Sequence, residues 1–284
     1  MQTYESVIRN ALTEPVESII QLDEGWTNVV LEVNAKWIFR FVRDLSNTQL
    51  AVEQAFLPLF QKVSPLPIPE IQHSGTNYIA YKKIEGVKFS ETIFQNLGQR
   101  ERKSTVGALG NFLSCLHAVA FEHQHIKAAP FGGNDFWREL WPAVSPCLRS
   151  HTRKNAEDYF QRAISKVASA TYQNVIAHSD FGTNNVLIDA AHSKIVGVID
   201  FGDLSISDPA ADFATFYRRF GKQFAEDMVE HYQLPLGEDF WTRVDYESKR
   251  KLFFVVFFAL NYGFEQYVPG VVRAIESQFV DWCL

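Results

Sequence analysis

Three oxygen-bearing side chains could do chemistry together in this sequence. Asp180 and Asn185 stand five residues apart within His178 to Ile188, and Asp200 follows within Val198 to Asp203. A magnesium ion takes oxygen ligands at ~2.0–2.1 Å and keeps waters and substrate phosphates as the remainder, so one carboxylate and one amide oxygen are a fitting protein contribution. Asn185 and Asp200 are the candidate metal ligands. Asp180, on the loop that enters the same segment, is the candidate base for a substrate hydroxyl. Phosphoryl transfer suits such a set, because the transferring group spreads negative charge over its oxygens and is helped mainly by positioning and cations. Asx residues also cap turns and loops; the ordered spacing of all three lifts the catalytic reading above that one.

A strand pair must position them. The apolar runs Val186 to Ile188 and Ile195 to Ile199, joined by Ala190 to Ser193, predict a hairpin. With a four-residue turn, Asp189 faces Lys194 and Asn185 faces Val198, leaving Asp200 on the diagonal from Asn185. Upstream, Val29 to Val33 and Trp37 to Phe41 predict a hairpin around Asn34 and Ala35. Asn47 to Lys62 has helical spacing that places Glu53 off the main apolar stripe. Pro65, Pro67 and Pro69 forbid a helix next and introduce short strands at Ile71 to His73 and Tyr78 to Lys82. The first lobe therefore reads β-β-α-β-β over residues 1–85, with a boundary near Glu85 and Gly86. Residues 86–284 read as mainly helical, with Lys103 to Val119, Asp135 to Trp141 and Ala156 to Ala168 the clearer segments. Helices return from Asp208 onward, where 18 of the 40 aromatic residues lie.

Length and composition agree with two lobes sharing a cleft. The 284 residues hold 46% hydrophobic and 21% charged side chains, a globular balance that disfavours disorder and coiled coils. A net charge of −6 offers no whole-chain attraction for a polyanion, so no nucleic-acid partner is expected. Leu252 to Leu260, the longest apolar run, is far shorter than the ~20 residues that span a bilayer, and no membrane association is expected. Met1 to Gln21 lacks the apolar stretch of a secretory signal, and the expectation is a cytoplasmic protein. Cys115, Cys147 and Cys283 are widely spaced and read as reduced thiols.

The pattern Asp180-x-x-x-x-Asn185 followed by Asp200-Phe-Gly reproduces the kinase arrangement of base and metal ligands. His178 to Leu187, Val198 to Asp203 and Ser207 to Asp212 resemble the aminoglycoside phosphotransferases, a branch of the protein-kinase-like superfamily, the 2''-O type most of all. Trp37 to Phe41, Leu66 to Glu70 and Lys83 to Val87 extend the resemblance upstream. It implies an α+β, bilobal protein-kinase-like fold, with a small β-rich N-terminal lobe, a larger helical C-terminal lobe and nucleotide between them. It assigns Asp180 as base, Asn185 and Asp200 as magnesium ligands, and Glu53 as the helix acid that pairs with a strand cation. That cation is usually Lys in the family; here it is Arg40, as in the similar macrolide phosphotransferases, and Arg binds carboxylate or phosphate bidentately. Gly25 falls where the nucleotide-positioning loop would turn. Tyr81, Lys82, Lys83 and Ile84 match the hinge whose backbone would meet the purine, which leaves ATP and GTP undistinguished. Mg²⁺ and a nucleoside triphosphate are the implied cofactor and donor, and a small-molecule alcohol is the implied acceptor.

Alternatives stay beside these assignments. His178 reads as a structural histidine, Asp208 as the start of a helix before Pro209, Asp212 as a brace on the catalytic loop through His178, and Asp203 as facing the acceptor. His117, His123 and His125 lack carboxylate partners at metal-ligand spacing and read as surface or core residues. A polycationic aminoglycoside calls for an acidic cleft. Phe213 to Leu284 carries ten acids and eight bases, with Arg218 and Arg219 where the relatives tend to be acidic. Glu226, Asp227, Glu230, Glu238, Asp239 and Glu265 are the acids available for a pocket. The acceptor expected is an aminoglycoside or another antibiotic, with a macrolide or metabolite alcohol as alternatives. A catalytically silent nucleotide-binding protein is the reading from another class, and a protein kinase comes last, for want of a glycine-rich loop and an A-P-E block.

Overall fold

The structure is a computed structural model describing residues 3–22, 28–44, 48–189, 191 and 193–279. The first helix, α1 (Tyr4–Ala11), begins at Thr3, whose hydroxyl accepts from the amide of Ser6, and carries a Glu5–Arg9 pair one turn apart. A short strand, β1 (Ile19–Gln21), follows, and then the hairpin of β2 (Asn28–Val33) and β3 (Trp37–Val42). Asn34 and Ala35 at its turn have φ of 54° and 52°, the left-handed pair that matches strand twist. Asn34 suits that conformation, and its amide accepts from the amides of Glu17 and Ser18, fastening the approach to β1.

The helix α2 (Gln49–Phe60) and the strands β4 (Ile71–Ser74) and β5 (Tyr78–Lys82) complete a five-stranded antiparallel sheet of order β1-β2-β3-β5-β4. The β-β-α-β-β expectation omits α1 and β1. Both are too short for periodicity to show: α1 buries only Ile8, and β1 has three residues. β3 runs through the centre and is buried throughout. Trp37, Phe39 and Phe41 pack with Ile8, while Ile38 and Val42 pack with Leu50 of α2. Arg40 shares the second face by the two-residue alternation of a strand, so the sequence aims a guanidinium at α2.

The second part contains α3 (Glu91–Asn96), α4 (Gln99–His117), α5 (Trp141–Val144), α6 (Ser150–Ser169), α7 (Ala210–Phe220), α8 (Lys222–Val229), α9 (Phe240–Tyr262) and α10 (Val268–Ser277). Where a helix over Asp135 to Trp141 is expected, the chain makes a wider π turn at Phe136–Leu140 before α5. Two small sheets lie among the helices. One joins β6 (Val87–Lys88), β9 (Val186–Asp189) and β10 (Lys194–Val198); the other joins β7 (Lys127–Ala128), β8 (Val175–Ala177) and β11 (Ser205–Ser207). The largest core runs from Phe56 and Phe60 of α2 through Phe112, Phe181 and Phe201 to Phe213 and Phe216, so one apolar mass supports both the β-rich part and the loops between β8 and β11.

Backbone contact between α4 and α8 depends on Gly110. A methyl there would collide with the carbonyl of Met228 and meet Cβ of His231. Gly110→Ala is expected to destabilise the fold by about 1–3 kcal/mol, despite alanine's better helix propensity. A urea midpoint equal to that of the wild type would contradict this.

The β9–β10 hairpin forms with one change of register. Lys194 faces Asp189 and Ile195 faces Ile188, as expected, but a bulge follows, so Gly197 faces Leu187 and Val198 faces Val186. Asn185 therefore does not face Val198; its carbonyl accepts from the amide of Ile199. Gly197 explains the irregularity, since a Cβ there would press on Ile84 and the carbonyl of Pro67, while the Val198 amide donates to that same carbonyl.

Candidate active site between the two lobes

Arg40 is the first fixed point. One guanidinium nitrogen donates to Oε1 of Glu53 at 2.6 Å and another to Oδ1 of Asp200 at 2.7 Å. Arg40 and Glu53 are almost wholly buried, whereas half of the Asp200 side chain is open to solvent. Glu53 is thus not off the apolar stripe: it shares a row with Leu50, Leu57 and Phe60, and its partner makes burial tolerable. Burial pushes its carboxyl up to about 7 against the pull of Arg40. For Arg40 itself, burial disfavours the charge, but Asp200 and Glu53 more than offset it and raise the guanidinium further. Gly202 lies close by, and a Cβ there would come within 3.1 Å of the Arg40 fork. Asp200 itself turns at φ 64°, a left-handed conformation that aspartate accepts better than most residues.

The second fixed point is Asp180. Asn185 donates its side-chain amide to Oδ2 of Asp180 at 2.8 Å and to the Asp180 carbonyl at 2.9 Å. With Nδ2 so engaged, the amide oxygen Oδ1 is the end that faces other duty. On the opposite side, Lys251 of α9 pairs with Oδ1 of Asp180 at 2.8 Å and donates to the Ser179 carbonyl at 3.0 Å. Burial alone would raise the Asp180 carboxyl, but Lys251, with His178 and Asn185, outweighs it and holds the group below the ordinary carboxylate range.

Asp203 stands at the surface of the cleft and accepts from Gln49 at 3.3 Å. The surrounding protein, then repulsion from Asp180 and Asp200, push its carboxyl up to about 6. Asp200 and the carboxamide oxygen of Asn185 are the donor types a hard divalent cation takes. No three His, Cys, Asp or Glu side chains group at metal-binding separation among the described residues, so a magnesium ion here would rely on Asp200, Asn185, phosphate oxygens and water.

Asp212 braces the loop through His178 as expected, by way of that residue's backbone amide. Its oxygens accept from the backbone amides of His178 and Ser179 at 2.7 and 2.8 Å and from Nε2 of His117 at 3.0 Å. The His178 ring instead pairs with the Ile199 carbonyl. His117 does have a carboxylate partner after all, brought from 95 residues away, and its other nitrogen meets the Tyr232 hydroxyl. Burial would raise the Asp212 carboxyl, but His117 and the amides outweigh it, so the folded value lies below the unfolded one. That stabilisation is complete above the unfolded pKa of ~3.9 and is lost as pH falls through the depressed folded value. The melting temperature of the wild type should therefore drop in acid more steeply than that of Asp212→Asn, a difference differential scanning calorimetry would read.

Asp208 accepts from the amide of Ala210 in the first turn of α7, one position earlier than a regular cap, and pairs with buried Arg243. At the hinge segment, Tyr81 is buried beside Arg40, Lys82 lies 3.4 Å from the centre of the Trp37 ring and Lys83 pairs with Glu32 at 2.8 Å. The Lys83 amide already donates to the Lys36 carbonyl, and Ile84 underlies Gly197. Gly25 lies outside the described residues. The structure thus gathers Arg40, Glu53, Asp180, Asn185, Asp200 and Asp203 at one cleft. Lys251 and Arg243 carry no sequence signal beyond being cations on a helix, since nothing in their spacing links them to residues so far upstream.

A family model described as the phosphotransferase enzyme family matches residues 18–246. The chain belongs to this phosphotransferase family. Curated relatives include an aminoglycoside 3'-phosphotransferase of Streptomyces fradiae, 38% identical over 66 residues that cover 20% of this chain and 25% of that protein. A viomycin phosphotransferase of Streptomyces vinaceus is 22% identical over 56% of this chain and 57% of its own. The chain thus matches a quarter and just over half of the lengths of these two relatives. Among solved structures, a GDP and kanamycin complex of an APH(2'')-type enzyme superposes with a TM-score of 0.83 at 21% identity, covering 96% of this chain and 97% of that one. A macrolide 2'-phosphotransferase type I gives 0.70 at 16% identity, covering 98% of each. The phosphotransferase chain therefore has the bilobal, kinase-like α+β fold. No helix among its described residues is long and apolar enough to cross a membrane.

Proposed function

We propose that this chain is a small-molecule O-phosphotransferase, moving the terminal phosphoryl group of ATP or GTP to a hydroxyl of an antibiotic-like acceptor. The convergence of Asp180, Asn185 and Asp200 on one cleft, with Arg40 bridging Glu53 and Asp200, carries this reading. Residues up to Glu85 form the nucleotide side and the rest the catalytic and acceptor side. Asn185 and Asp200 hold Mg²⁺, which neutralises phosphate charge when bound. Asp180 orients the acceptor hydroxyl and receives its proton, Glu53 fixes Arg40, Arg40 faces the phosphates, and the backbone around Tyr81 to Ile84 flanks the base. Asp203 borders the acceptor, and Gly25 belongs to the nucleotide loop.

Among acceptors, a macrolide hydroxyl is the second reading, and one observation favours it. From Lys251, α9 continues along the same face with Phe254, Phe258 and Tyr262, whose rings follow one another at 6.0 and 4.0 Å, and Phe131 packs on Phe254. Several acids available for a polycation pocket have other partners: Glu226 pairs with Lys222, Asp227 accepts from Gln223 and Glu238 from the Thr171 amide. Turnover of Mg-ATP and Mg-GTP against aminoglycosides, macrolides and simple alcohols, with the phosphoester found by mass spectrometry, tests the proposal. Nucleotide binding without any phosphoester would favour the silent reading.

A further inference from the structure

In the structure, each oxygen of the candidate base already has one donor. Asn185 donates to Oδ2 of Asp180 and Lys251 pairs with Oδ1, while nearly half of the Asp180 side chain stays open to solvent, so an acceptor hydroxyl that takes a remaining lone pair would lie beside one of these donors. Asn185 is the more firmly held of the two. It holds the Asp180 carbonyl as well, and its own backbone is fixed by the Ile199 amide at the foot of β9 and β10. Lys251 approaches from a different helix on a four-carbon stem, and a quarter of its side chain is open to solvent.

The neighbours of Lys251 show that this approach is particular to one residue. Lys249, Arg250 and Lys251 are consecutive on α9 and point about 100° apart. Lys249 pairs with Asp245, and Arg250 pairs with Glu247 and donates to the Pro130 carbonyl. Only the third of them meets the catalytic loop. That loop supplies no cation of its own, since Phe181, Gly182, Thr183 and Asn184 separate the base from the amide. Arg40, another cation at the site, already holds Glu53 and Asp200.

We propose that Lys251 is a catalytic cation of the transfer step, an inference that rests on the phosphotransferase reading above. In the free protein it holds Asp180 in place. When the acceptor hydroxyl takes its position on Asp180 Oδ1, the ammonium passes to the oxygens of the terminal phosphoryl group. The acceptor O–H gives its proton to the Asp180 carboxylate, the acceptor oxygen bonds to the terminal phosphorus, and the bond from that phosphorus to the bridging oxygen breaks. Its electron pair leaves with the nucleoside diphosphate. Lys251 keeps its own proton throughout and supplies charge that grows in value as the planar phosphoryl group forms, which is how a positioned donor accelerates such a step.

Lys251→Met and Lys251→Arg test this by two readouts. In steady state, Lys251→Met should lose about 10²–10³-fold in kcat while KM for the nucleotide changes less than about threefold, and Lys251→Arg should recover part of the loss. In thermal shift, wild type should gain stability with Mg-ADP or Mg-GDP and gain more when aluminium fluoride, a planar phosphoryl mimic, is added. Lys251→Met should keep the first gain and lose the second. A Lys251→Met protein that retains the aluminium fluoride gain, or turns over within about threefold of wild type, overturns the assignment of Lys251 alone. A wild type that responds to neither diphosphate defeats the phosphotransferase reading and this one with it. Should Lys251→Met melt lower without ligand, Lys251→Arg, which keeps the charge, carries the comparison, and equal kcat losses in both variants would count against the cation role.

Discussion

An Asp180→Asn protein is expected to bind Mg-nucleotide as the wild type does and to turn over about 10²–10⁴-fold more slowly. Asparagine preserves the volume and one accepting oxygen, so the loop held by Asp212 and Asn185 should stay in place. What it removes is the group that takes the proton of the hydroxyl. The loss should therefore appear in kcat, with KM for nucleotide little changed, because the interaction lost belongs to the transition state. Equal turnover by the two proteins would remove Asp180 from the mechanism and leave the cleft without a base. A rise in nucleotide KM with kcat intact would instead place Asp180 among binding groups.

The second large effect concerns stability. Arg40 is 3% exposed and Glu53 1% exposed, so Arg40→Met leaves a carboxylate in the apolar interior between α2 and β3. The expected cost is about 3–5 kcal/mol in urea denaturation, the usual penalty for removing one member of a buried pair. Removing both, as Arg40→Met with Glu53→Leu, should recover most of the stability while abolishing nucleotide use, since the partner of Asp200 is gone. Arg40→Lys should fold better than Arg40→Met yet bind one carboxylate at a time, for an ammonium has no fork. If Arg40→Met unfolded at the wild-type midpoint, the pair would have no structural weight, and its conformation would have to be sustained by the sheet alone.

The proximity of the candidate residues was legible in the sequence because they are close in the chain. Asp180, Asn185 and Asp200 belong to one loop and one hairpin, so local spacing nearly determines their separation. Arg40 and Glu53 were legible as a pair through the resemblance. That Glu53 is buried was not, since a helical acid is ordinarily solvated and only the guanidinium across the sheet reverses that preference. The register around Gly197 escaped because a bulge is set by what presses on it from outside, here Ile84 and Pro67, and not by alternation within the strands. Lys251, His117 and Arg243 escaped for a related reason: each acts on residues dozens of positions away, and chain distance carries no mark of such meetings. The elements α1 and β1 were too short to leave a period, though Thr3 and Glu5 do sit as a helix start would place them.

The hairpin of β9 and β10 is fastened at its base, by the Ile199 amide on the Asn185 carbonyl and the Val198 amide on Pro67. Its other end, past Asp189, lies four residues along the strand from Asn185, and Ala191 there is exposed. Extra sequence grafted at Ala191 would hang from the end opposite Asn185, where loop tips commonly tolerate additions. That makes it the place to attach a dye or an affinity handle when catalysis itself is to be watched.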